Sequence, residues 1–148
     1  MDTDPSRCTQ RLMYEAELLL THAQTLDGAV QQACEDGAML LASQGLSALV
    51  AELAAPQVLD AGHWQDMMKL LPEALQERRL LERALLTAEG ELYPLHLRIE
   101  QQRTGRTAAP VALIATTSSS ADNLAQLKSQ MVVLRQLANS LREFSRFC

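Results

Sequence analysis

The stretch that decides the fold is the last one, ADNLAQLKSQMVVLRQLANSLREFSRFC, running from Ala121 to Cys148. Within it Leu127, Met131, Leu134, Ala138, Leu141, Ser145 and Cys148 step by four and three residues, with Leu124, Val133, Leu137 and Phe144 beside them. An α-helix turns once every 3.6 residues, so this spacing stacks apolar side chains on one face, wider than a two-stranded coiled-coil seam. Such a stripe needs other helices to cover it, and the stretch therefore predicts a helical bundle. Ser119-Ser120-Ala121-Asp122 resembles a capping box at its start.

Upstream, three more main helices and a short one are expected. Asp4-Pro5-Ser6 reads as a helix start, Asp4 capping and Pro5 in the first turn, where its missing N–H costs nothing. Leu12, Ala16, Leu19, Leu20, Ala23 and Leu26 then make one apolar face. Asp27-Gly28 marks a turn or a seam, and a second helix follows from about Ala29 to Ala55. Gly37 and Gly45 lie on a small-residue stripe of that helix. Each costs roughly 1 kcal/mol against alanine in a helix, so the stripe implies a neighbouring helix passing close, or a gap for a ligand. After a connection around Pro56–Gly62, Trp64, Met67, Met68 and Leu71 form a short amphipathic helix. Pro72-Glu73 reads as the first turn of a long one, with Leu81, Leu85, Ala88, Leu92, Leu95 and Ile99 in heptad-like register. Pro94 should kink it or divide it near Tyr93. The segment 104–110 reads as a loop, and Val111–Ala115 as buried coil or a brief helical turn.

Composition agrees with an all-α fold. The 148 residues include 27 Leu and 21 Ala but only two Phe, two Tyr and one Trp, which favours helices over strands. The length suits one domain spanning 1–148, expected to be a bundle of four main helices with one or two minor ones. Cys8, Cys34 and Cys148 are too dispersed for a disulfide framework or a CxxC site and read as reduced thiols of a cytoplasmic protein. The N-terminus has no signal-peptide pattern, and no apolar run is long enough to span a membrane.

The net charge of −5 divides unevenly: residues 1–62 hold nine acids and two bases, residues 63–148 nine acids and eleven bases. An acidic chain with only two Lys lacks the dense basic footprint that nucleic acid needs. The strongest polar feature is the arginine series Arg78, Arg79 and Arg83, continued by Arg98, Arg103 and Arg106. Its interleaved glutamates favour local pairing; converging guanidinium groups would instead meet an anion or an acidic protein surface.

No pattern names a reaction, a metal or a cofactor. Glu-x-x-His, the signature of a carboxylate-bridged metal bundle, does not occur, and His96 with Glu100 is a single i,i+4 pair. Catalysis would require groups such as His96, Glu100 and Tyr93 to converge in a cleft. The Thr116–Ser120 run reads as a linker and helix cap rather than a phosphate site, since glycine-rich phosphate loops are absent. Trp64, Met67 and Met68 close the core or meet a partner. The leading expectation is a noncatalytic interaction or regulatory protein using an apolar or arginine-bearing face, with a protein partner or itself as a homodimer. The alternative is a bundle binding a small molecule or anion beside Gly37 and Gly45 or at the arginines.

Arg11-Leu12-Met13-Tyr14, His63-Trp64, Leu113-Ile114-Ala115 and the ending Leu141-Arg142-Glu143-Phe144-Ser145-Arg146-Phe147-Cys148 together resemble a family of small uncharacterised helical proteins of gammaproteobacteria. That resemblance implies a bacterial cytoplasmic protein and carries no catalytic residues to transfer.

Overall fold

A left-handed glycine makes the first reversal. The computed structural model describes residues 5–54, 63–104 and 120–147. In it α1 (Pro5–Ala23) ends in a short turn, where the Thr25 hydroxyl donates to the His22 carbonyl at 2.7 Å. Gly28 then takes φ +63°, which only glycine adopts without penalty, and opens α2 (Gly28–Ala54). Gln31 reaches back across the turn, its amide donating to the carbonyls of Ala23 and Leu26 where α1 ends, and the Ala23 carbonyl also accepts from the Leu26 N–H. Asp27-Gly28 is thus a turn between two helices.

The two helices run antiparallel and close together. A Cβ on Gly45 would sit 3.2 Å from Met13 Cγ, and one on Gly37 3.3 Å from Leu19 Cδ1. The small-residue stripe is where α1 crosses. Leu12, Met13, Ala16, Leu20 and Ala23 of α1 bury against Ala38, Met39, Ala42, Leu46 and Leu49 of α2. Met13, which lies beside the expected α1 face rather than on it, is fully buried because Gly45 leaves it room.

α2 is the central element, contacted by α1, by the short α3 (Trp64–Met68), by α5 (Tyr93–Thr104) and by the last helix, α6 (Ser120–Phe147). Trp64, Met67, Met68 and Leu71 are all buried, as their spacing predicts. On α6, Leu124, Leu127, Met131, Leu134, Ala138 and Leu141 form the buried stripe. Two ion pairs set its direction, Glu17–Arg135 at 3.3 Å and Glu52–Arg142 at 2.9 Å. Two Arg142 bonds fall on one carboxylate, which also accepts the Thr9 hydroxyl at 2.7 Å, so α1, α2 and α6 meet on Glu52. α6 therefore runs against α1 and along α2.

Of the kink or division expected near Tyr93 in the helix read from Pro72, the structure shows the division, with α5 beginning at Tyr93; it is the start of the helix that differs. Pro72 instead opens a turn, accepting from the Leu75 N–H, and α4 begins only at Gln76 and ends at Leu86. The chain reverses through Thr87–Leu92, where Gly90 N–H donates to the Thr87 carbonyl and Leu92 N–H to the Ala84 carbonyl, each at 2.9 Å. A Cβ on Gly90 would lie 2.2 Å from Ala84 O, so only glycine fits against the end of α4. Pro94 falls in the first turn of α5, a position that needs no donor. Leu81, Leu85, Leu92, Leu95 and Ile99 of the heptad-like register are buried all the same, while Ala88 is exposed in the turn. The class is all-helical, with six helices among the described residues. The connection at Pro56–Gly62, the 105–110 part of the loop, Val111–Ala115, Thr116–Ser119, Arg106 and Cys148 lie outside the described residues.

The glycines rank by what a methyl group would strike. Gly45→Ala gains helix propensity and presses only on Met13, so it should shift stability by less than about 1 kcal/mol. Gly90→Ala drives a Cβ into two backbone carbonyls and should cost at least ~1 kcal/mol more than Gly45→Ala. Urea unfolding followed by circular dichroism checks this order; equal costs would mean the α4–α5 turn does not depend on Gly90.

Candidate functional site

Of the polar residues singled out in the sequence, Tyr93, His96 and Glu100 gather at the seam of α3 and α5. His63 precedes α3, and its Nε2 lies 3.1 Å from Glu100 Oε1 and 3.0 Å from Gln65 Oε1. Glu100 is also held by Arg103 at 3.0 Å. One turn earlier on α5, buried His96 stands edge-on to Trp64, ring centroids 5.6 Å apart, with Tyr93 6.3 Å from it on the other side. His96 and Glu100 are joined by His63, which spacing alone did not bring in. Among the described residues no three His, Cys, Asp or Glu side chains converge as metal ligands.

Two directions of pKa shift follow from this packing. Burial disfavours the charged imidazolium and holds His96 below the usual 6.5; Glu100 raises it and His63 lowers it further. Burial alone would raise Glu100, but the Arg103 hydrogen bond and charge, with His63 and His96, hold it below the usual 4.5. Two polar atoms in the seam, Trp64 Nε1 and His96 Nδ1, are buried without a hydrogen-bond partner.

The arginine series does not converge. Arg78 spans Glu82 and the Leu71 carbonyl, and Arg79 reaches the Glu73 carbonyl, so both tie α4 to the turn before it. Arg98 crosses to Glu35 on α2, and Arg103 stays with Glu100. Arg83 instead lines an open groove of about 540 Å³ with Thr87, Glu89, Glu91 and Leu137. Gly37 and Gly45 face α1 side chains, Leu19, Met13 and Leu12, which fill the space a ligand would use.

A third feature was not singled out by sequence reasoning. Between α1 and α6 lies an open groove of about 590 Å³ lined by Arg7, Gln10, Arg11, Tyr14, Arg135 and Asn139. Tyr14 is 55% exposed and Leu18, one turn on, 49%. At roughly 100° per residue, Arg7, Arg11, Tyr14 and Leu18 lie opposite the buried face of α1. The available signal was that Arg7 and Arg11 are the only cations in residues 1–62 and stand one helical turn apart.

The model of a family of unknown function, DUF6586, matches residues 1–148. The chain belongs to DUF6586. No curated protein and no solved structure matches it. Membership agrees with the resemblance to an uncharacterised helical family, and it assigns no chemistry to this DUF6586 chain. No described helix is long and apolar enough to cross a membrane.

The seam predicts a pH dependence. The folded protein keeps His96 neutral while the unfolded chain protonates near 6.5, so stability is lost as pH falls from 6.5 towards the lower folded value. Glu100 acts with the same sign at lower pH, its folded value lying below 4.5. Trp64 is the one tryptophan, so its fluorescence reports the seam directly. The urea midpoint should be lower at pH 5.5 than at 7.5, and His96→Phe should shrink that difference. An unchanged difference would place the proton uptake elsewhere.

Proposed function

We propose that this DUF6586 chain is a noncatalytic interaction protein of the bacterial cytoplasm, one domain over residues 1–148, whose binding face is the outer side of α1. The observation that carries the reading is the pair Tyr14 and Leu18. Both are large and about half exposed, on a helix whose opposite side is buried in the core. Solitary exposed apolar residues are ordinary, but an aromatic and a leucine one turn apart beside an open groove form the sort of anchor that interfaces use. The arginines of α4 and α5 are mostly occupied with internal contacts, which favours α1 over the arginine series as the docking face.

A second reading, a bundle that holds a small ligand, draws on the α3–α5 seam. Trp64 Nε1 and His96 Nδ1 are buried donors or acceptors without partners, and such atoms are costly unless something satisfies them. Native mass spectrometry of the protein from its own host separates the two: a discrete small added mass favours the ligand, a protein adduct the interface.

The direct test places a photoreactive benzoyl side chain at Tyr14 in the host cells. Irradiation should give one discrete protein adduct that is missing when the same group replaces Thr25, which is exposed in the turn after α1. No adduct at Tyr14, or the same products from both sites, would defeat the interaction reading.

A further inference from the structure

We propose that the groove between α4 and α6 is the contact face of a homodimer, with a second copy of this chain seated on it across a two-fold axis. The groove, of about 540 Å³, is lined by half-buried Leu80 and Ala84 from α4 and Leu137 from α6, and by the charged side chains of Arg83, Glu89 and Glu91. Those three are exposed, and none of them has a side-chain hydrogen bond or ion pair among the described residues. Arg83 differs in this from Arg78, Arg79, Arg98 and Arg103, which are all engaged within the chain.

The occupant is a second copy because the face carries both signs of charge and neither is paired within the chain. In a two-fold contact a surface meets its own image, so a patch with a cation on one side and carboxylates on the other is complementary to itself. Arg83 stands in the last turn of α4, and Glu89 and Glu91 in the reversal that follows. An axis passing between them sets each guanidinium against the other copy's glutamates. The remaining lining residues there, Ala84, Thr87 and Gly90, are small enough to let two backbones approach. The Thr87 hydroxyl is satisfied inside α4, where it donates to the Arg83 carbonyl at 2.6 Å. A purely acidic segment would face two carboxylates for one guanidinium, and a purely basic one would meet Arg83, so a partner of a single sign fits less well.

The dimer and the α1 face do not compete. Leu137 is two residues from both Arg135 and Asn139, about 200° round the helix from each, so the two grooves lie on opposite sides of α6. A second copy on α4 thus leaves Tyr14 and Leu18 open. The patch is one short helix and a turn, which puts the dimer among small, exchanging interfaces rather than obligate ones.

Sedimentation velocity of the full chain, at concentrations from micromolar upward, tests this. The expected result is a reversible monomer–dimer equilibrium. Arg83→Glu alone, and Glu89→Lys with Glu91→Lys, should each weaken it about tenfold or more, because like charges then face each other across the axis. Mixing those two variants should give a heterodimer comparable in strength to the unaltered homodimer, and all three changes in one chain should restore self-association. Circular dichroism melting confirms that each variant is folded. A photoreactive benzoyl side chain at Thr87 in the host cells should join two copies of this chain. The proposal is overturned by a chain that stays monomeric up to about 1 mM, by dimers indifferent to the reversals, or by folded variants that fail to pair on mixing. A Thr87 adduct with a different protein overturns it too, since the groove then has another occupant. The α1 face is tested separately by the Tyr14 crosslink, so either reading can fail without the other.

Discussion

The close contact of α1 with α2 is the constraint on which the rest of this molecule depends. It exists because Gly37 and Gly45 present no side chain where Leu19 and Met13 must lie. Backbones that approach this nearly leave no freedom in the rotation of α1: one face is fixed against α2, a flank is fixed by Glu17–Arg135 and by Thr9 on the Glu52 carboxylate, and the remaining face points outward. Arg7, Arg11, Tyr14 and Leu18 are exposed as a consequence of that rotation. The glycines on one helix thus determine what surface the other displays.

The same logic shows what could be read from sequence. Helix class followed from period and composition, and most of the buried stripes of α1, α3 and α6 was legible, since burial follows one helical face wherever the helix is straight; Met13 of α1 is buried beside the expected face. The α4–α5 region was legible only as a helix kinked or divided near Tyr93, because heptad spacing survives a reversal. Leu81, Leu85, Leu92, Leu95 and Ile99 are all buried, and a periodic pattern does not say whether the chain between Leu85 and Leu92 continues or folds back. The deciding residue was Gly90. Its need to sit against Ala84 O is a property of the turn in three dimensions. Pro94, read as the point of a kink or a division, occupies the first turn of the second helix, and the division lies just before it.

The polar sites were legible to different degrees for an electrostatic reason. Local pairs such as Arg78 with Glu82 and Arg103 with Glu100 are three or four residues apart, and the sequence displays them. Partners from distant elements leave no such trace: His63 reaches Glu100, Arg98 reaches Glu35, and Arg142 reaches Glu52 only because α2 gathers the other helices around it. The α1–α6 groove is of this second kind, since Arg135 is more than a hundred residues from Arg11 and joins it only once α6 lies against α1.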